Sequence, residues 1–222
     1  YPGLIDALSG WGIPAPPTLP RPAASSASST PPAQGPEDRP SNNSFVKAAD
    51  IADTADKRIE GARNAGFTSA VVFPQSGIFA GQGTVINLAG ETVRQMVVHP
   101  TAGQLLTLSR SGFATGFPNS LMGMIAYIRQ TALDADQYRS AREAYDRSPR
   151  GATRPDYDRT LDGWLASPRV LLPATTAVEI DRMLRLAADL KTKTVLYGVH
   201  GGYAAVEMLA KSGTPALVSL KW

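Results

Sequence analysis

Apolar positions in this chain recur at two spacings, and the spacing changes from stretch to stretch. In "FVKAADIADTADKRIEGARNAG", Ile51, Ala55, Ile59 and Ala62 fall on one stripe at helical period, with Gly66 placed to cap the end, so one helix is predicted here. "FTSAVVFP" follows as a short apolar run of strand type, and "GIFAGQGTVINLAG", broken by glycines, predicts a loop. "TVRQMVVHP" and "GQLLTLS" supply one or two further strands. After Pro118 comes the longest helical pattern, with Leu121, Met124, Ile125 and Ile128 on one face and Arg129, Asp136, Arg139, Arg142 and Glu143 on the other, closed by Pro149.

The last third repeats the alternation more plainly. "RPDYDRTLDGWLAS" predicts a shorter helix and "PRVLLPAT" an apolar strand. Thr176 and Glu179 form a Thr-x-x-Glu capping box that opens a helix with Ile180, Met183, Leu184 and Ala187 facing inward. "KTVLYGVHGG" reads as a strand entering a glycine turn, "YAAVEMLAKSG" as a helix stopped by Gly213, and "TPALVSLKW" as a last strand. Continuous apolar strands alternating with helices predict a parallel sheet covered by helices, in a barrel or a doubly wound sheet of six or seven strands.

One segment breaks the pattern. Residues 14–44 form a linker or insertion, and the run from Pro14 to Pro40 holds nine of the 18 prolines around a Ser/Ala tract, too little apolar surface to offset the entropy of ordering it. The rest of the 222 residues suits a single domain. A net charge of +3, with a pI near 9.3, gives no global pull toward nucleic acid. Between Asp136 and Asp162, arginines and tyrosines interleave with Glu143, Asp146, Asp156 and Asp158, which predicts a salt-bridged helical surface and no nucleic-acid partner. With no cysteine, disulfides and thiolate chemistry are excluded by count. No apolar run reaches the roughly 20 residues that cross a bilayer, so no integral membrane protein is expected. The start at Tyr1 is read as a processed or truncated end.

Three stretches together resemble the amidohydrolase superfamily, in particular its imidazolonepropionase-like branch. Pro2 to Asp6 is similar to the "PGLID" that ends barrel strand one. Arg63 to Glu91 resembles the helix exit, strand two and glycine loop of that branch, and Val170 to Trp222 resembles barrel strands five to seven. The resemblance implies an α/β fold: a partial TIM-type (β/α) barrel of parallel strands, with its site at their C-terminal ends. It also implies that a final barrel strand and a small β-sandwich lie outside these residues, so that either these residues are a fragment of a longer chain or a protein partner covers the incomplete barrel. The branch is often exported, which places the expected location in the periplasm or outside the cell.

By the same resemblance, intact members hold a divalent metal such as zinc with a His-x-His on strand one, histidines on strands five and six, and an Asp on strand eight. Here Leu8 and Gly10 occupy the His-x-His places, and Pro173 or its neighbour Leu171 stands at the strand-five place. None of these side chains donates a lone pair to Zn²⁺. The chain has two histidines, and His99 before Pro100 is read as structural. The candidate pocket is Asp6, Gln75, Gln82 and His200, with no metal and no cofactor assigned. The expected function is that of an amidohydrolase-related protein, by family a hydrolase of non-peptide carbon–nitrogen bonds, with lost or impaired activity. The alternative is a non-catalytic structural or binding subunit of a larger assembly. No phosphate loop of the G-x-x-x-x-G-K-[ST] kind and no G-x-S-x-G elbow occurs.

Overall fold

In the computed structural model, the described residues are 3–15, 39–108, 118, 120–151 and 153–219. Most of the Pro/Ser-rich stretch therefore lies outside them. Seven strands form one sheet: β1 (Leu4–Ser9), β2 (Phe67–Val72), β3 (Phe79–Asn87), β4 (Val97–Leu106), β5 (Val170–Pro173), β6 (Thr194–Tyr197) and β7 (Ala216–Leu217), ordered in space as in sequence. Among the described residues seven helices accompany them: α1 (Ala48–Ile51), α2 (Lys57–Asn64), α3 (Val93–Met96), α4 (Leu121–Arg147), α5 (Arg159–Leu165), α6 (Ala177–Leu190) and α7 (Val206–Ser212). A short 3-10 helix, His200–Ala205, precedes α7.

The sheet is mixed. β1 pairs parallel with β2, and β4 to β7 pair parallel in series, but β3 runs antiparallel to both neighbours. The expectation of parallel strands throughout is corrected at β3, and so is the loop predicted there. The glycines that suggested a loop mark close approach instead: a Cβ on Gly83 would sit 2.2 Å from the Phe73 ring. β3 can thus carry glycines and still form a nine-residue strand, all but two of whose residues are buried.

The single helix expected over Ile51 to Ala62 is two helices. Asp53 interrupts it, because its backbone N–H donates to the Gly12 carbonyl at 2.7 Å and its side chain accepts from Ala55 N–H at 2.9 Å. Asp56 then starts α2 as its N-cap, accepting from Arg58 N–H at 2.9 Å. The capping box of α6 is present as expected, with Thr176 Oγ1 accepting from Glu179 N–H and Glu179 Oε2 accepting from Thr176 N–H. Gly213 ends α7 in the left-handed conformation, φ +63°.

Two apolar layers flank the sheet. On one face, Phe79, Leu106, Val170, Leu172 and Leu196 pack against α4, α5 and α6 through Met124, Ile128, Trp164, Ile180 and Met183. The Phe79 ring stands edge-on to Tyr127 and Trp164, with centroids 5.7 and 5.6 Å away. The other face carries a separate cluster of Phe73, Ala80, Leu105 and Leu171, joined by Leu8, Val71, Val195, Tyr197 and Leu217. Alternation along β5 sends Val170 and Leu172 to the helices and Leu171 to this second face.

Every strand contributes to that second cluster. A flat sheet of seven strands would hold its edges roughly 29 Å apart, at about 4.8 Å per strand. Here β1 and β7, the two edges, line one common cavity, so the sheet curls until its ends face each other.

Candidate functional site

The cavity between the edges measures about 620 Å³, and its walls include Ile5, Asp6 and Leu8 of β1, Gly198 after β6, Leu217 of β7 and Val218 just after it. Its polar side chain of interest is Asp6. Asp6 Oδ1 accepts from the Leu8 backbone N–H at 3.0 Å, a local turn that fixes the carboxylate beside β1. No other hydrogen bond reaches this carboxylate among the described residues.

The other three candidates lie elsewhere. His200 opens the 3-10 helix on the surface, with Nδ1 3.4 Å from the Ser219 carbonyl oxygen; its neighbours Gly198 and Ser219 border the cavity. Gln75 is exposed on the loop after β2, donating to the Phe73 carbonyl at 3.2 Å, and borders a different cavity beside Ile13 and Pro74. Gln82 is buried at 1% exposure, and its amide donates to the carbonyls of Ser44 (3.1 Å) and Gly163 (2.9 Å). Its work is structural: it ties the segment before α1 and the helix α5 to β3. The four residues are not gathered into one pocket.

Sequence reasoning gave no hint of that buried polar belt. Gln82 faces Gln104 across the β3–β4 pair, and Gln104, with its amide oriented to satisfy both contacts, donates to Ser44 carbonyl and accepts from Gly81 N–H. Tyr197 was also missed. It lies on the inner face, where its hydroxyl donates to the Leu106 carbonyl at 2.8 Å, and burial pushes its phenol well above the usual range. At neutral pH it is a hydrogen-bond donor and not a phenolate. Its alternation with Leu196 on β6, which faces the helices, was the available signal.

Among the described residues, the side chains of the inner face do not fit a divalent ion. The inner face is furnished by Leu8, Val71, Phe73, Leu105, Leu171 and Val195, whose side chains offer no lone pair. Among the described residues no group of three or more His, Asp or Glu is arranged as a metal cage. His99 lies on β4, exposed, accepting from Thr101 N–H at 3.4 Å. On the charged surface of α4, Arg142 pairs with Asp162 at 2.6 Å and stacks over Tyr138, and Arg139 pairs with Asp136 at 2.6 Å. No helix among the described residues is long and apolar enough to cross a membrane.

No family model matches this chain, and no curated protein sequence matches it. Among solved structures, the fold is similar to the crystal structure of an amidohydrolase from Thermotoga maritima MSB8, with a TM-score of 0.77 and 22% sequence identity. The likeness covers 99% of this chain and 57% of that one. The chain therefore has an amidohydrolase-like fold, and it spans little more than half the length of that relative.

Proposed function

We propose that this chain is an amidohydrolase-related protein, in its ancestry a hydrolase of non-peptide carbon–nitrogen bonds, whose metal-dependent activity is lost or impaired. The observation that carries the reading is the packing of Leu8 and Leu171 on one apolar inner face. In a metal-dependent hydrolase the ion polarises the carbonyl and lowers the pKa of the attacking water, and three or more donor side chains are needed to hold it. Aliphatic side chains at those places leave water and carbonyl unactivated. We read the curled sheet as part of a (β/α) barrel whose closure is incomplete within these residues.

Elemental analysis of the purified chain, paired with hydrolysis assays on simple cyclic amides and imides, tests this. Substoichiometric metal and no turnover are expected. One equivalent of zinc together with turnover would contradict it.

A second reading is favoured by a specific observation, the two sheet edges that face each other with no strand between them among the described residues. On this reading the chain is a non-catalytic binding or structural subunit whose cleft is covered by a protein partner. Co-purification of a defined second chain, lost when the cleft is altered, is its expected signature.

A further inference from the structure

We propose that the cavity between the last turns of α4 and the segment leading into α5 binds a small zwitterion, one that carries a methylated ammonium and a carboxylate, as betaines do. None of its residues belongs to the apolar inner face, so the site stands apart from the hydrolase reading.

Helical spacing builds the first wall. Tyr138, Arg142, Tyr145 and Asp146 follow one another at steps of four, three and one residues, which puts them on one face of the last turns of α4. A stripe of that spacing is commonly apolar and packed on the core. Here it borders a cavity of about 450 Å³ whose other wall carries Arg154, Asp156 and Tyr157, room enough for a small ligand. Two contacts tie the walls together: the Tyr138 hydroxyl accepts from Asp158 N–H at 3.4 Å, and Arg142 pairs with Asp162 of α5 at 2.6 Å.

Ion pairs absorb the neighbouring charges. Arg39 pairs with Asp134 and Asp158, Arg139 with Asp136, and Arg142 with Asp162. Among the described residues Asp146, Asp156 and Arg154 have no such partner, although all three line the same cavity. Two carboxylates and one guanidinium left unpaired suit a ligand that brings a cation to the acids and an anion to the arginine.

The tyrosines select the kind of cation. Arg142 already lies over the Tyr138 ring, 5.5 Å from its centroid. Tyr145 and Tyr157 carry no such cation among the described residues, and Tyr157 is 78% exposed, a large ring standing in water at the cavity wall. An ammonium covered by methyl groups donates no hydrogen bonds to water, so it gives up little on moving against an aromatic ring, whose quadrupole attracts it; a bare ammonium leaves strong hydrogen bonds behind. A phosphate would instead meet two carboxylates against one unpaired guanidinium.

An NMR titration of the 222-residue chain with glycine betaine, following the tyrosine ring protons at low ionic strength, tests this. Saturable one-to-one binding with a Kd below about 1 mM is expected. 3,3-Dimethylbutyrate, which has the same shape with carbon in place of the charged nitrogen, is expected not to bind in that range, and choline, which lacks the carboxylate, to bind about tenfold more weakly than betaine. Tyr157→Ala is expected to weaken betaine binding about tenfold, and Tyr157→Phe, which keeps the ring, to hold it within about twofold. Arg154→Ala is expected to bring betaine down to the affinity of choline and leave choline unchanged. Both side chains are exposed, so the melting temperature is expected to stay as it is in all three variants.

Betaine that fails to saturate the chain in that range, or that binds no better than 3,3-dimethylbutyrate, overturns the proposal. Binding that survives both Tyr157→Ala and Arg154→Ala lies elsewhere and overturns it as well. Choline as tight as betaine leaves Arg154 without a role and overturns the assignment to a zwitterion. Failure here leaves the metal and turnover assays untouched, so loss of the proposal and loss of the silent-hydrolase reading are separately visible.

Discussion

Leu8, from the first strand, packs on the same apolar cluster that holds Leu171 of the fifth, so one of the two strand-one places and one of the two strand-five residues where the family resemblance asks for metal ligands share a hydrophobic face. That shared face bears directly on repair. Leu8→His places an imidazole at the half-buried wall of the cavity, beside aliphatic side chains, and is expected to destabilise the fold by about 1 kcal/mol or less, because water still reaches the ring. Urea unfolding reads the loss. The variant is expected to take up no more zinc than the parent chain, and stoichiometric uptake would contradict this account of the inner face.

Phe79 holds the sheet to its helices. It is fully buried and meets Tyr127 and Trp164 edge-on. Phe79→Ala is expected to cost about 3–5 kcal/mol, from lost burial and the void left behind. A midpoint shift in urea of less than a fifth of that size would show that α4 and α5 are held mainly by other contacts.

Gly163 is the second structural key. A Cβ there would lie 2.5 Å from the Ser44 carbonyl carbon and the Phe45 nitrogen, both main-chain atoms that cannot rotate away. Its carbonyl also accepts from the Gln82 amide. Gly163→Ala is expected to lose about 1–3 kcal/mol by overpacking, although alanine favours a helix. An unchanged or raised melting temperature would contradict the close approach.

Asp56 joins two distant parts of the chain, capping α2 through Arg58 N–H and accepting from Gly12 N–H at 2.8 Å. Its hydrogen bond from the Arg58 side chain is the main cause that holds its carboxyl below the usual range, opposed by burial and aided by the two backbone donors. A depressed folded value gives stability that is fully present above the unfolded carboxylate pKa, about 3.9, and is lost as pH falls through the folded value. Asp56→Ala is therefore expected to cost about 0.5–2 kcal/mol at neutral pH, with a smaller penalty in acid below the folded value. Equal penalties at pH 7 and in strong acid would show that the charge plays no part.

Much of the second half of the fold was legible in the sequence. "VLLP" is an unbroken apolar run, Thr176 and Glu179 close a reciprocal cap, and the face through Met124 and Ile128 is buried as its spacing requires. The first half was harder because single residues there act over long distances. Gly83 makes space for Phe73, which precedes it by ten residues, and Asp53 stops a helix by bonding to Gly12. The antiparallel run of β3 leaves no periodic trace, since a buried strand reads the same in either direction.

The candidate site was less legible. Gln82 looked free to reach a ligand, but its donors are taken by two main-chain carbonyls that no local pattern reveals. Asp6 does line a cavity, yet the cavity owes its existence to the curl that brings β1 opposite β7, which only the whole sheet determines.

The most direct test of the central claim is a calorimetric titration of the purified, chelator-treated chain with Zn²⁺ at neutral pH. An inner face of leucine and valine predicts no saturable binding and no change in melting temperature. A saturable one-to-one site that disappears in Asp6→Ala or His200→Ala would contradict it.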